Sequence, residues 1–173
     1  NRLGVKDADL FMYLSETGKE VDLKAEHINQ YIRDSSGEGF TAKNFRTWGA
    51  TYRCAERLAF LAQPQRESDM KRWLRKLPDV DSMNKLWTEG DWLVPTTDLG
   101  RNKAMLAVID TVAADLGNTR PVCRSSYVHP WFLDAWMEER FLQAWNEVVD
   151  LRRISGLSVG ESATLQVLKN LLK

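Results

Sequence analysis

Late in the chain runs the stretch Leu116-Gly-Asn-Thr-Arg-Pro-Val-Cys-Arg-Ser-Ser-Tyr-Val-His-Pro130. Tyr127 stands seven residues after Arg120 and nine after Asn118, just ahead of a His-Pro stop. A tyrosine there can be simple packing, or it can be a nucleophile delivered to a bound phosphate. A phenol ionises only near pH ~10, so it attacks phosphorus usefully when cations stabilise the phenolate. Asn118 can donate to a phosphate oxygen without carrying charge. A second cluster, Phe40-Thr-Ala-Lys-Asn-Phe-Arg-Thr-Trp-Gly49, holds Lys43 and Arg46 three residues apart. On a helix that spacing puts both on one face near the N-terminus, where free N–H groups and partial positive charge already favour an anion. Lys43, Arg46 and Arg124 are the cations available to Tyr127, provided the fold brings the two clusters together. Taken alone, each pair of cations also fits an ordinary solvated surface.

Helices must do that positioning. Asp9 to Leu14 reads as a short strand, Ser15 to Lys19 as a turn and Glu20 to Leu23 as its partner, a small hairpin. Ile28, Tyr31 and Ile32 fall at helical spacing before the Ser35-Ser-Gly37 stop. Thr41 suits the N-cap of a longer helix whose apolar positions run Phe45, Trp48, Tyr52, Ala55, Leu58, Ala59, Ala62. Gly49 inside it implies close approach of another backbone. Glu67 to Leu77 reads as a helix stopped by Pro78, with Trp73, Trp87 and Trp92 as packing residues. Asp98 is placed to cap a long helix that ends at Gly117. Pro130 opens another that carries Leu133, Trp136, Met137, Phe141 and Trp145. Gly156 breaks it, and a last helix starts at Ser158 or Glu161. The expected fold is mainly α with one β-hairpin near the start.

Composition narrows the function. No run approaches the ~18 apolar residues of a membrane span. Cys54 and Cys123 make no disulfide scaffold, and with His27 and His129 they show no zinc-ligand spacing, so no metal is expected. The chain carries 24 basic and 24 acidic residues, unevenly placed. Residues 1–40 hold 5 basic and 8 acidic groups, residues 41–130 hold 14 and 10, and residues 131–173 hold 5 and 6. The basic excess therefore falls on the stretch with both clusters, although a solvated helical surface would show the same weak bias.

Phe40–Gly49 and Leu116–Pro130 resemble the two signature segments of type IB DNA topoisomerases, most closely the bacterial and poxvirus-type enzymes. The likeness runs from about Leu10 to Pro130 and includes Leu10-Phe-Met-Tyr13 and His27-Ile-Asn-Gln-Tyr-Ile-Arg33. The resemblance implies the helical catalytic fold shared with tyrosine recombinases. It also implies duplex DNA as substrate and supercoil relaxation without ATP, metal or other cofactor, because a 3′-phosphotyrosyl bond conserves the energy. Tyr127 would be the nucleophile, Arg46 the main partner of the phosphate oxygens, and Asn118 a further donor where many relatives carry histidine. Lys43 would lie beside the scissile phosphate, and Arg124, Arg120 and Thr41 would contact DNA around it. A bacterial cytoplasm, at the nucleoid, is the implied location, with no membrane partner.

One departure qualifies the resemblance. The family's general-acid lysine and another arginine lie upstream in a β-rich stretch, which nothing before Leu10 resembles. Lys19 sits on a hairpin, but in the family's pattern that hairpin is a later, non-catalytic one. Residues 1–173 are thus expected to form one helical catalytic domain that is part of a longer protein, with 1–24 as a hairpin lead-in and 131–173 as C-terminal helices. Two other readings stay open, a tyrosine recombinase and a non-catalytic DNA-binding module. Against the first, Lys43-x-x-Arg46 and Leu116-Gly-Asn118 stand where recombinases usually show His-x-x-Arg and Leu-Gly-His.

Overall fold

The computed structural model describes residues 11–173, so Asp9 and Leu10 of the expected first strand lie outside the described residues. The chain divides into two compact units, the first ending at Phe45 and the second running Arg46–Lys173. It is mainly helical with a small antiparallel hairpin near the start, as expected.

In the first unit, β1 (Met12–Leu14) pairs with β2 (Glu20–Asp22), Tyr13 opposite Val21. Gly18, at φ 73°, takes the left-handed position of the turn, and its N–H donates to the Ser15 carbonyl at 2.8 Å. Helix α1 (Ala25–Ser36) begins where the Lys24 N–H donates to His27 Nδ1 (3.2 Å). Its His27 ring meets Tyr13 of the hairpin edge-on at 5.5 Å. None of its residues is buried. Helix α2 (Ala42–Leu61) follows, its first N–H donating to Asn29 Oδ1 at 2.9 Å. Thr41 precedes it as expected, but the capping runs in reverse. Asn44 Oδ1 accepts from both the Thr41 N–H (2.9 Å) and the Thr41 hydroxyl (2.6 Å).

The second unit is built on two helices. α2 buries Ala50, Cys54, Ala55, Leu58 and Leu61, and α5 (Asp98–Leu116) buries Ala104, Met105, Val108, Ile109 and Val112. α5 packs against α4 (Asp81–Leu86), α6 (Arg120–Ser126) and α7 (Pro130–Met137). Thr97, not Asp98, caps α5, its side chain accepting from the Gly100 N–H at 3.1 Å. Gly117 ends the helix at φ 64°, as its sequence position predicts. α8 (Phe141–Val149) packs against α7 and α9 (Val159–Asn170). Ser158 opens α9 with a reciprocal capping box: its hydroxyl accepts from the Glu161 N–H, and Glu161 accepts from the Ser158 N–H. Glu56 of α2 reaches the same end and accepts from the Gly160 N–H; a Cβ on Gly160 would overlap its carboxylate at 1.8 Å. Burial and the neighbouring Glu161 push the Glu56 carboxyl above its ordinary range, against the pull of Arg57 and Arg53.

Further expectations need correction. The helix expected over 67–77 is α3 (Glu67–Leu74), and a separate short α4 follows Pro78. The helix expected from Pro130 through Trp145 breaks at Glu139, a non-glycine at φ 62°, held there by Arg101 at 2.7 Å. The Leu116–Pro130 stretch contains a helix of its own, α6, with Pro121 in the first turn. Gly49 makes room for no second backbone, since a Cβ there would meet the Arg53 guanidinium of the same helix at 2.8 Å.

Candidate active site

Arg46 projects from α2 as an exposed side chain, and its Nη2 donates to the Leu116 carbonyl at 2.8 Å and to Asn118 Oδ1 at 3.3 Å. Leu116 is the last residue of α5, so the guanidinium meets the partial negative charge of that helix end. Asn118 is fixed by its own N–H, which donates to the Ala113 carbonyl at 2.8 Å just beyond the Gly117 turn. With Oδ1 taken by Arg46, Asn118 Nδ2 is left buried and without a hydrogen-bond partner. An unpaired buried donor is costly, and it marks where an oxygen would be welcome.

Tyr127 is the C-cap of α6, just beyond Ser126, at φ −129°, ψ −34°. The Tyr127 N–H and the Val128 N–H both donate to the Cys123 carbonyl at 3.1 Å. The half-buried ring lies under the Arg46 guanidinium, 5.2 Å from ring centre to guanidinium carbon. Arg46 from one segment and Asn118 and Tyr127 from the other are therefore gathered at one place in the second unit. A guanidinium, an amide donor and a phenol so placed can bind an oxyanion and supply a nucleophile beside it.

The other expected site residues stand as follows. Lys43 is exposed in the first turn of α2, and Thr41 is engaged with Asn44; both belong to the unit ending at Phe45. Arg124 is exposed in the last turn of α6. Arg120 is committed elsewhere: it grips Asp110 of α5 with Nε (2.6 Å to Oδ1) and Nη2, while Ser82 of α4 donates to the same carboxylate. Burial opposes ionisation of Asp110, but the hydrogen bonds from Arg120 and Ser82 outweigh it and hold the carboxyl below its ordinary value. The pair fastens the start of α6 to α5, and its charge is largely spent there. Lys19, exposed in the hairpin turn, belongs to the first unit.

Sequence reasoning missed three polar residues along α2. Thr51 contacts the backbone on both sides of Val128. Arg57, 8% exposed, donates to Thr111 Oγ1 at 2.9 Å and pairs with Asp115. Arg53 approaches the same Asp115 at 3.8 Å. The available signal was position: Thr51 interrupts the apolar stripe between Trp48 and Ala55. Cys54 and Cys123 are both fully buried free thiols. Burial, reinforced by Cys123, pushes Cys54 up to about 12 despite Arg57. Burial also pushes Cys123 up to about 11. Neither is a ready nucleophile.

A sequence model of the family described as eukaryotic DNA topoisomerase I, catalytic core, matches residues 4–129, a span that takes in Arg46, Asn118 and Tyr127. No curated protein matches the chain. Among the described residues no helix is long and apolar enough to cross a membrane. With most of its length matched, the chain belongs to the DNA topoisomerase I catalytic-core family, isomerases that act on DNA.

Proposed function

We propose that this chain carries the phosphotyrosine site of a type IB topoisomerase, with Tyr127 as nucleophile. The observation that supports it best is the convergence of Arg46, Asn118 and Tyr127 at one place. In this reading the Tyr127 oxygen attacks a DNA phosphorus and loses its proton. The bond to the 5′ oxygen breaks, leaving a 3′-phosphotyrosyl link and a 5′-hydroxyl strand. Rotation of the free strand and the reverse attack by that hydroxyl relax supercoils without ATP or metal. Arg46 exchanges its bond to the Leu116 carbonyl for the non-bridging oxygens and stabilises the charge that builds on them. Asn118 Nδ2 supplies a neutral donor, and Lys43 and Arg124 hold the flanking backbone. Protonation of the leaving oxygen falls, by the resemblance, to a lysine upstream of the stretch that shows the likeness. By the resemblance of its two signature segments to the bacterial and poxvirus-type enzymes, the protein would act on DNA at the nucleoid of a bacterial cytoplasm.

A substrate that needs no acid isolates what these residues do. With duplex DNA bearing a 5′-bridging phosphorothiolate, the thiolate departs unprotonated. The chain is expected to form an adduct that survives a denaturing gel. Tyr127→Phe should abolish it, and Arg46→Ala should slow it roughly 10²–10³-fold, as for loss of one transition-state donor. No adduct from the unsubstituted chain, or one that persists in Tyr127→Phe, rules the assignment out.

A further inference from the structure

Thr51 is 3% exposed on α2, five residues after Arg46. Its hydroxyl donates to the Tyr127 carbonyl at 3.1 Å and accepts from the His129 N–H at 3.2 Å. A hydroxyl has one proton to give and lone pairs to receive, so both bonds stand together. The two peptide groups flanking Val128 are thereby closed on one side chain, and the Val128 side chain itself is buried in the core. On the other side, the N–H groups of Tyr127 and Val128 are both taken by the Cys123 carbonyl. The backbone of Tyr127 is thus satisfied on every polar group, while its ring stays half-buried under Arg46. The same helix carries the guanidinium and the hydroxyl that fixes the nucleophile's main chain.

We infer that Thr51 is a positioning residue for the cleavage step: it sets where the Tyr127 backbone stands relative to Arg46, so that only side-chain rotation is left for DNA to complete. The inference rests on the reading of Tyr127 as nucleophile. Small displacements of a reacting group cost rate rather than affinity, because binding is made by many contacts and attack by one. Loss of Thr51 should therefore fall on the chemical step.

The test compares Thr51→Val, which keeps the shape and removes both bonds, with Thr51→Ser, which keeps both. Ser162→Ala serves as the control for a lost buried hydrogen bond elsewhere, since Ser162 Oγ accepts from the Ile154 N–H at 3.1 Å and is 3% exposed. Single-turnover cleavage of saturating phosphorothiolate duplex is measured well below each melting temperature. Duplex affinity is measured by anisotropy in a Tyr127→Phe background. Thr51→Val should cleave about 10–100-fold more slowly with affinity within about twofold. Thr51→Ser should recover most of the rate, and Ser162→Ala should keep it. A Thr51→Val chain that cleaves at the unsubstituted rate, or a Thr51→Ser chain as slow as Thr51→Val, overturns the inference. Should Thr51→Val fail to fold, amide exchange in the unsubstituted chain decides: His129 should be protected, and exchange at an open-chain rate refutes the clamp. If the unsubstituted chain forms no adduct while His129 is protected, the nucleophile reading has failed and the positioning role falls with it.

Discussion

Arg46 is held by two protein acceptors; in the proposed reading a phosphate oxygen replaces the Leu116 carbonyl, so the gain on DNA is the difference between a neutral carbonyl and an anion. Charge-assisted hydrogen bonds are roughly twice as strong as neutral ones, which favours the exchange. Glu56 presents the opposite balance. Its carboxyl is raised, so the folded state carries a penalty that appears as pH climbs through the folded value and is absent below the ordinary glutamate range, where both states are protonated. Glu56→Gln removes the charge and keeps an oxygen for the Gly160 N–H. It is expected to raise the melting temperature near pH ~7 and to leave it unchanged near pH ~3.5. A gain of the same size at both pH values would show that packing, not ionisation, is responsible.

Among the elements, α6 shows best what the sequence could and could not disclose. Its two ends were legible, because Gly117 supplies a left-handed stop and Pro130 a helix start, and those chemistries are local. The helix between them, Arg-Pro-Val-Cys-Arg-Ser-Ser, offers only Val122 and Cys123 as apolar positions, too few to show a period. The resemblance assigned Arg120 to DNA, but its partner Asp110 lies a helix away, at a separation no periodicity reports. The break at Glu139 depends equally on a distant residue, Arg101. Long amphipathic helices such as α2 and α5, by contrast, were evident from apolar spacing alone. Within the site, the residue types were readable and the backbone bonds made by Thr51 were not. Since Arg120 fastens α6 to α5, Arg120→Ala should loosen the segment that carries Tyr127. Amides of residues 120–127 should exchange faster by hydrogen–deuterium mass spectrometry, while those of α9 stay protected. Uniform loss of protection across the chain would mean that the pair supports the whole unit rather than α6.

At the scale of the molecule, a zero net charge does not prevent DNA binding but limits its strength. Arg46, Asn118 and Tyr127 belong to one unit, and Lys43 and Thr41 to the other. With Arg120 spent on Asp110, the expected phosphate contacts fall to Lys43, Arg46 and Arg124. The affinity of this chain for duplex DNA should be modest, tolerant of sequence and salt-dependent. Log K should fall against log salt with a slope of roughly −2 to −3 for that many phosphates. Titration by anisotropy at several salt concentrations checks this, and a flat response would remove phosphate contacts from the account of binding.

The two buried thiols give the protein a built-in clock. Cys123 lies one helical turn before Tyr127 on α6, and Cys54 lies on α2. Neither can meet a maleimide until its surroundings part, and both are poor thiolates at neutral pH. Labelling followed by mass spectrometry therefore counts openings of the molecule, residue by residue. If α6 lifts away on its own, Cys123 reacts ahead of Cys54; if the unit opens only as a whole, the two react together. Capture of DNA through Tyr127 should slow the reaction at Cys123. Reaction of Cys123 at the rate of a denatured chain would mean that the tyrosine's helix is not held in place at all.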